Sequence, residues 1–295
     1  GSRRFKVGSV RDHVLGFQGI NGKGEIIKSG GTVVKNVTGY DLSKLITGSF
    51  GTLSILTEIT LKVLPKKNFS NTVVIDVEDH KKIYDLFNLI SGSSSEVSGA
   101  VFIPSEPEDK NYKKNRDKIF KFNDLDFKGP FLAFRVEGDK ISINEKIKSL
   151  TEELQLNTFK TFLLDSYQSD PFWKKINNLE LFEKTENNLL RIVIEPSNGS
   201  KMVKYLNNKF KYYIDWCGSL FWVEVPAKKN MKVKEIKKIA IDFGGYLTIV
   251  KTSFDYDFDE TIFTVDDVRL MISKKIKESF DPKRILNPGK MYRGI

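Results

Sequence analysis

Two similar series of hydrophobic and polar positions follow each other between residues 73 and 251. Alternation with a period of two predicts strands, and apolar spacing of three and four predicts helices. The first series predicts strands at 73–77, 97–103, 131–136 and 158–164, with helices at 80–90 and 141–154. The second predicts strands at 189–194, 212–216, 220–225 and 246–251, with helices at 201–208 and 233–243. Each series has the βαββαβ order of a ferredoxin-like unit, so we expect one continuous antiparallel sheet with the helices of the repeats on one face.

The segments outside the two series have their own patterns. Residues 14–28 predict a hairpin that turns at Asn21-Gly22-Lys23-Gly24, and residues 53–63 predict a strand that ends before Pro65. Asp41 is the expected N-cap of a short helix that ends at Ile46. An aromatic helical segment around Phe172 and Trp173 joins the series. Residues 105–128 predict a mobile, charged connection, and residues 266–280 predict a final helix.

Glycine and positive charge are concentrated near the start of the chain. Residues 1–67 hold eleven of the 21 glycines, and their eleven Lys/Arg against four Asp/Glu give +7 of the total net charge of +10. Glycines allow positive φ, and successive backbone N–H groups in such turns bind anions. The stretch 48–52, Gly-Ser-Phe-Gly-Thr, directly before an apolar strand is the strongest example. A nucleotide ligand is favoured over nucleic acid, while a solvated lysine-rich face is the alternative explanation of the charge.

The rest of the sequence argues against several classes of protein, among them membrane-spanning, disulfide-linked and metal-binding proteins. No apolar run reaches the ~18–20 residues that a bilayer crossing needs. Cys217 is the only cysteine, which excludes internal disulfides and fits a reducing cytoplasm. The two histidines, His13 and His80, have no metal-ligand spacing, and hydrolase and P-loop signatures are absent from the sequence. If the protein performs chemistry, a cofactor is expected to carry it.

Polar residues in the second series form a candidate pocket. The residues are Arg191, Asp215, Trp216, Tyr246 and Lys251. Because side chains alternate along a strand, Arg191 is expected opposite the apolar face that Leu190 and Ile192 form. A guanidinium there suits a carboxylate, with Tyr246 and Lys251 as weaker anion contacts. The alternative is an ordinary exposed strand arginine.

Three segments resemble the vanillyl-alcohol oxidase/p-cresol methylhydroxylase (PCMH) flavoprotein superfamily. They are GSVRDHVLG (8–16), KNVTGYDLSKL with GSFGTLSILTEITLKVLP (35–65), and FDPKRILNPGKMY (280–292). Within the superfamily, DWCG (215–218) and GGYLT (244–248) resemble the E subunit of bacterial glycolate oxidase. Phe50 stands where catalytic members carry a glutamate, and Tyr246 and Phe221 replace a histidine and an arginine of the E-subunit pattern. The histidine-rich metal motif of the catalytic members is also absent from the sequence.

The resemblance implies an α+β fold in three parts. Residues 1–68 are expected to be the second half of a PCMH-type FAD-binding domain whose first half is absent. Residues 69–265 are expected to be the tandem ferredoxin-like, substrate-type domain, and residues 266–295 a helix and tail that return to the flavin. The expected flavin contacts are Lys35, Asn36, Tyr40, Gly48, Ser49, Gly51, Thr52, Leu53, Ile55 and Asn287.

The resemblance also implies an activity and partners. The expected reaction is oxidation of glycolate to glyoxylate through FAD, with a homologous catalytic flavoprotein subunit and an iron–sulfur subunit as partners. A cytoplasmic location is expected, with membrane association only through the complex. The alternatives are a self-sufficient FAD-dependent dehydrogenase of a small 2-hydroxyacid such as D-lactate, and a flavin-free scaffold. Because the pyrophosphate-binding half is expected to be missing, FAD binding by residues 1–295 is expected to be weak or absent, and the fragment inactive.

Overall fold

The computed structural model describes residues 1–33, 39–77, 79–105, 119–120, 129–183, 185–227, 231–253, 262–292 and 295. The helices are α1 (Arg4–Val7), α2 (Val10–His13), α3 (Leu42–Ile46), α4 (His80–Gly92), α5 (Lys140–Glu153), α6 (Ser166–Asn177), α7 (Gly199–Leu206), α8 (Met231–Asp242) and α9 (Asp267–Phe280). The strands are β1 (Val14–Asn21), β2 (Ile26–Gly30), β3 (Ser54–Leu61), β4 (Phe69–Asp76), β5 (Gly99–Ile103), β6 (Phe131–Gly138), β7 (Thr161–Leu164), β8 (Asn188–Val193), β9 (Lys211–Asp215), β10 (Leu220–Val225) and β11 (Tyr246–Lys251). The predicted site residues Lys35 and Asn36, and the side chain of His80, lie outside the described residues.

The chain forms two compact units. The larger unit contains Gly1–Val7 and Lys66–Asp257, and the smaller contains Gly8–Pro65 and Phe258–Ile295. The first seven residues therefore pack with the larger unit, whereas the sequence placed them with residues 8–68. The final helix and tail pack with the glycine-rich segment.

The smaller unit is built on an antiparallel sheet in the order β2-β1-β3. The predicted hairpin is confirmed: the Asn21 side chain accepts hydrogen bonds from the amides of Lys23 (2.9 Å) and Glu25 (3.0 Å), which fixes the turn. The predicted N-cap is also confirmed, because the Asp41 carboxylate accepts from the Lys44 amide at 3.1 Å. Phe17, Ile46 and Leu53 form the buried core, against which Ile276 and Phe280 of α9 pack.

The larger unit contains an eight-stranded antiparallel sheet in the order β11-β8-β10-β9-β5-β6-β4-β7. Its elements confirm both predicted repeats, β4-α4-β5-β6-α5-β7 and β8-α7-β9-β10-α8-β11. The repeats join where β5 pairs with β9, at Phe102 opposite Ile214. One continuous sheet therefore runs through both repeats, as the pattern predicted.

Helix α6, which joins the repeats, packs on the other face of this sheet. The Tyr213 hydroxyl donates to the Ile176 carbonyl of α6 at 3.1 Å, whereas the adjacent Tyr212 hydroxyl donates to Asn207, directly after α7. Neighbouring residues of a strand point to opposite faces. Helix α7 of the second repeat and the joining helix therefore lie on opposite faces of the sheet, and Phe172 and Trp173 of the joining helix are buried against it.

One residue corrects the prediction for the connection at 105–128. Residues 106–118 and 121–128 lie outside the described part of the chain, but Ile119 and Phe120 are described. Phe120 is buried, and its ring centroid lies 5.4 Å from that of Phe131 and 5.5 Å from that of Phe172. At this point the segment is part of the core because an aromatic side chain anchors it, although its neighbours in sequence are charged.

Candidate functional site

The Gly48–Thr52 loop lies between α3 and β3 in the smaller unit. Gly48, Phe50 and Gly51 all have positive φ, at 88°, 55° and 70°. Two tight turns hold the loop: the Ser49 amide donates to the Ile46 carbonyl at 3.0 Å, and the Thr52 amide donates to the Ser49 carbonyl at 3.0 Å. The Thr52 hydroxyl reinforces the second turn through a 2.7 Å bond to the same carbonyl. The loop is therefore rigid and strongly curved.

Several amides of this loop remain available to a ligand. Within the described residues, the amides of Gly48, Phe50 and Gly51 donate to no backbone oxygen. Successive residues of right- and left-handed conformation turn their N–H groups into one concavity, which attracts anions and other electron-rich groups. The loop therefore fits a ligand that is bound through backbone donors, and its predicted contacts with a ligand stay predictions.

A cavity of about 190 Å³ lies against this loop within the smaller unit. Its lining includes four predicted contacts, namely Gly48, Ser49, Thr52 and Leu53. The other lining residues are Arg11, Lys44, Leu45, Thr47, Ser273, Ile276, Met291, Tyr292 and Ile295. Sites for drug-sized ligands measure roughly 300–1,000 Å³. The volume therefore fits only part of a large cofactor.

The other predicted contacts in the smaller unit lie apart from this cavity lining. Tyr40 is almost fully exposed, and Ile55 is exposed on β3. The Asn287 side chain donates to the Phe50 carbonyl at 2.8 Å, so it contacts the loop directly. The Phe50 ring packs at 5.2 Å on Phe263. None of these positions decides whether the residue contacts a flavin, and the assignments stay predictions.

Arg191 lies on the sheet face that the alternation predicted. It pairs with Trp222 and Thr248 across β10 and β11, while Leu190 and Ile192 are fully buried on the opposite face. Its guanidinium carbon lies 4.8 Å from the centroid of the Trp216 ring. Arg4 lies 4.5 Å from the same centroid, so two guanidinium groups stack on one indole. This arrangement concentrates positive charge beside an aromatic plane.

A strained turn places Trp216 at this position. Trp216, Cys217 and Gly218 all have positive φ, at 52°, 52° and 95°. Two consecutive non-glycine residues in the left-handed region cost free energy that the surrounding structure must offset, and such strain occurs often at binding sites. Asp215 begins the turn, and its carboxylate accepts from the Trp216 amide at 2.7 Å and from the Ser2 hydroxyl at 2.7 Å. Desolvation raises the pKa of Asp215 to about 6, although these two hydrogen bonds oppose the shift.

Neither of the two weaker anion candidates pairs directly with Arg191. Tyr246 pairs with Val193 at the start of β11, and Lys251 pairs with Leu189 at the other end of that strand. The Lys251 ammonium donates to the Thr185 carbonyl. Arg191 is therefore the candidate that the geometry favours, together with Arg4, which the sequence reading did not select.

Two buried cations were missed by sequence reasoning. Arg135 on β6 is almost fully buried, donates to the hydroxyl of Ser98 at 2.9 Å, and stacks at 4.5 Å on Trp173. Burial lowers its pKa to about 10. Lys277 on α9 is fully buried and bonds the carboxylate of Asp281 at 2.7 Å. The spacing of four between Lys277 and Asp281 was the only signal in the sequence, and most such pairs are exposed.

Comparison with known proteins identifies relatives over nearly the whole chain. No protein-family model matches. The chain is 29% identical to glycolate oxidase subunit GlcE of Escherichia coli (strain K12), over 99% of this chain and 69% of that protein. It is 43% identical to D-lactate dehydrogenase of Anaerostipes hadrus, over 99% of this chain and 66% of that protein. A solved structure of alkyldihydroxyacetonephosphate synthase matches with a TM-score of 0.55 at 18% identity, covering 98% of this chain and 55% of that one.

The chain is similar over nearly its whole length to members of the FAD-linked oxidase family. The resemblance of the glycine-rich and tail segments is thereby confirmed, and so is the predicted fold class, α+β with the architecture of this family. The chain spans about two thirds of the length of the curated relatives it matches and little more than half of the solved structure. Among the helices that the structure describes, none has both the length and the apolarity that a bilayer crossing requires.

Proposed function

We propose that the chain is part of an FAD-binding E-type subunit of a glycolate oxidase, which oxidises glycolate to glyoxylate. The observation that supports this most directly is the Gly48–Thr52 loop, in which, within the described residues, the amides of Gly48, Phe50 and Gly51 make no backbone hydrogen bond. The chain aligns over 99% of its length with a glycolate oxidase subunit. When bound, FAD supplies the hydride acceptor of the reaction.

The loop and its surroundings would hold the flavin through the backbone. Gly48, Ser49, Gly51, Thr52, Leu53 and Ile55 are the proposed backbone contacts, with Lys35, Asn36, Tyr40 and Asn287 beside them. Backbone donors suit the carbonyl oxygens and ring nitrogens of a flavin because they need no side chain to be ordered on binding. Arg11 and Lys44 line the same cavity and add positive charge. These residues bind and orient the cofactor; none of them is proposed to transfer a proton.

Arg191 is the proposed contact for the substrate carboxylate. A guanidinium offers two parallel N–H donors to a carboxylate, and stacking on Trp216 holds its plane fixed. Tyr246 and Lys251 remain weaker candidates, because neither pairs directly with Arg191 and the Lys251 ammonium already donates to the Thr185 carbonyl. A small 2-hydroxyacid has a single carboxylate, so one guanidinium is enough to bind it.

The proposed partners are a homologous catalytic flavoprotein subunit and an iron–sulfur subunit that receives the electrons. Two departures from the family pattern support a partner-dependent role: Phe50 stands in place of a glutamate in the loop, and the histidine-rich metal motif is absent from the sequence. The location would be cytoplasmic, with membrane association through the complex. The name of the E. coli relative, a subunit, fits this assignment.

A self-sufficient FAD-dependent 2-hydroxyacid dehydrogenase is the second candidate. The 43% identity to a D-lactate dehydrogenase favours it. A flavin-free scaffold subunit is the third candidate, which the replacement of the loop glutamate by Phe50 favours.

Three measurements on the native-length protein distinguish these functions. A yellow protein with flavin absorbance, together with co-purification of an iron–sulfur subunit from its host, is the expected result. A colourless protein that takes up no FAD would leave only the scaffold. Reduction of a dye by the isolated subunit with glycolate or D-lactate would favour the self-sufficient enzyme.

The 295-residue chain itself is expected to bind FAD weakly or not at all. The cavity at the loop is too small for the whole cofactor, and the chain spans about two thirds of the length of its curated relatives. Isothermal titration of residues 1–295 with FAD tests this expectation. Tight binding, with a dissociation constant of roughly 1 μM or lower, would show that this chain holds a complete site.

A further inference from the structure

Lys277 is a fully buried lysine that binds three segments of the smaller unit together. Its ammonium donates to the carbonyl of Thr52 at 2.7 Å, to the carboxylate of Asp281 at 2.7 Å, and to the carbonyl of Leu286 at 2.8 Å. An ammonium group has three donors, so these bonds satisfy it completely. The three acceptors lie in the Gly48–Thr52 loop, at the end of α9 and in the tail.

A buried lysine is an unfavourable choice if the position serves only to pack the core. Burying a charge carries a large desolvation penalty, and an apolar side chain of the same length often stabilises a core equally well. The neighbouring core positions on α9, Ile276 and Phe280, are apolar. Unlike an apolar residue, Lys277 holds the Thr52 carbonyl of the loop in one orientation.

Asp281 and Asn287 complete this arrangement from the tail. The Asp281 carboxylate also accepts from the amides of Ile285 (3.1 Å) and Leu286 (2.8 Å), so the tail cannot shift without breaking these bonds. Six residues after Asp281, the Asn287 side chain donates to the Phe50 carbonyl at 2.8 Å. Lys277, Asp281 and Asn287 form what we call the carbonyl clamp, because they hold the carbonyls of Phe50 and Thr52.

The clamp determines where the next two amides point. In a planar trans peptide, the C=O of one residue and the N–H of the following residue point in opposite directions. With the Phe50 carbonyl held against Asn287, the Gly51 amide points away from the tail. With the Thr52 carbonyl held against Lys277, the Leu53 amide is directed away from this side chain of α9. Gly51 and Leu53 are two of the proposed flavin contacts.

We propose that Lys277 and Asn287 are positioning residues that aim the amides of Gly51 and Leu53 at the flavin. Neither side chain needs to touch the cofactor, since each acts through one loop carbonyl. The inference rests on the proposed flavin site. It assigns the final helix and tail a role in cofactor binding that the loop sequence alone does not contain.

The test compares Asn287→Ala, Lys277→Met and Lys274→Met in the native-length protein with added FAD. Asn287→Ala removes one exposed side-chain bond to the loop. Because Asn287 has a φ of 41°, which disfavours alanine, the substitution is also expected to lower the melting temperature of the apoprotein slightly. It should weaken FAD binding several-fold and shift the visible flavin absorption band. Lys277→Met should weaken binding by at least about tenfold, the equivalent of one charge-assisted hydrogen bond. Lys274 is exposed on the same helix, so Lys274→Met should bind FAD like the parent.

The outcomes separate the clamp from the proposed function. Parent-like FAD affinity and absorption spectrum in Asn287→Ala and in a folded Lys277→Met overturn the clamp while leaving the flavin site intact. If Lys277→Met does not fold, Asn287→Ala decides alone. A native-length parent that takes up no FAD overturns the proposed function and the clamp with it.

Discussion

At the scale of single residues, Gly22 and Gly31 differ in what surrounds them, although both lie in the glycine-rich part of the chain. A β-carbon on Gly22 would overlap the Asp281 carboxylate, whereas one on Gly31 would meet no atom within 4 Å. Asp281 cannot move aside, because its oxygens are bonded to Lys277 and to two amides of the tail. Gly22 is therefore required by close packing, and Gly31 is not.

The paired substitutions Gly22→Ala and Gly31→Ala test this difference. Gly22→Ala should lower the free energy of unfolding of the smaller unit by about 1–3 kcal/mol or more, as overpacking of a buried site does. Gly31→Ala should change it by no more than about 0.5 kcal/mol. Urea denaturation followed by fluorescence measures both. Equal stabilities of the two variants would contradict the packing of Gly22 against Asp281.

The raised pKa of Asp215 predicts that the folded protein loses stability as the pH rises. Its pKa is raised from 3.8 to about 6 by burial, so between these values the folded protein binds more protons than the unfolded chain. Stability contributed by this group is therefore full below pH 4 and is lost as the pH rises through about 6. Asparagine does not titrate, so Asp215→Asn lacks this pH-dependent contribution. From pH 4 to pH 7.5, the free energy of unfolding of the variant should therefore rise by roughly 2–3 kcal/mol relative to that of the parent. Urea unfolding at both pH values measures the change.

Asp85→Asn is the matched control for this measurement, because Asp85 is exposed on α4. Its stability difference from the parent should stay nearly constant between the two pH values. Parallel pH dependences of the parent and Asp215→Asn would contradict a raised pKa at Asp215.

At the scale of elements, the order of strands and helices could be predicted because each buries one face. All strands of both repeats are present, since alternation and helical spacing record burial directly. The Gly48–Thr52 loop could be predicted for a similar reason, because a backbone with positive φ favours glycine, as at Gly48 and Gly51. The buried cations Arg135 and Lys277 could not, since their partners are remote residues or backbone carbonyls that leave no mark on local pattern. Phe120 was missed because its neighbours in sequence are charged.

Helix α6 offers a prediction at this scale. Its N-cap is Asp165, whose carboxylate accepts from the Gln168 amide at 3.1 Å, while the Gln168 side-chain oxygen accepts from the Asp165 amide at 3.4 Å. Asp165→Ala removes this capping box and should lower the free energy of unfolding of the larger unit by about 1 kcal/mol. Asp165→Asn keeps a capping oxygen and should cost less. Urea denaturation of both variants measures the effect, and an equal loss in the two would show that charge rather than capping matters.

At the scale of the whole molecule, the smaller unit exposes an apolar row that crosses its sheet. Ile20 pairs directly with Ile26 on one side and with Ile55 on the other, so the three side chains share one face. All three are exposed, by 38%, 73% and 59%. Within the described residues, β2 and β3 each pair only with β1. Exposed edge strands and contiguous apolar surface both favour association with another surface.

The 295-residue chain is therefore expected to self-associate through this face at micromolar concentrations. Sedimentation velocity should show a mean sedimentation coefficient that rises with concentration, and the double variant Ile26→Lys/Ile55→Lys should sediment as a 33.8 kDa monomer. Lysine introduces like charges on both copies of the face, which opposes the contact. Ile141→Lys is the matched control, because Ile141 is 79% exposed on α5 without such a row, and it should associate like the parent. A parent that stays monomeric, or a double variant that associates as strongly as the parent, would contradict the role of this row.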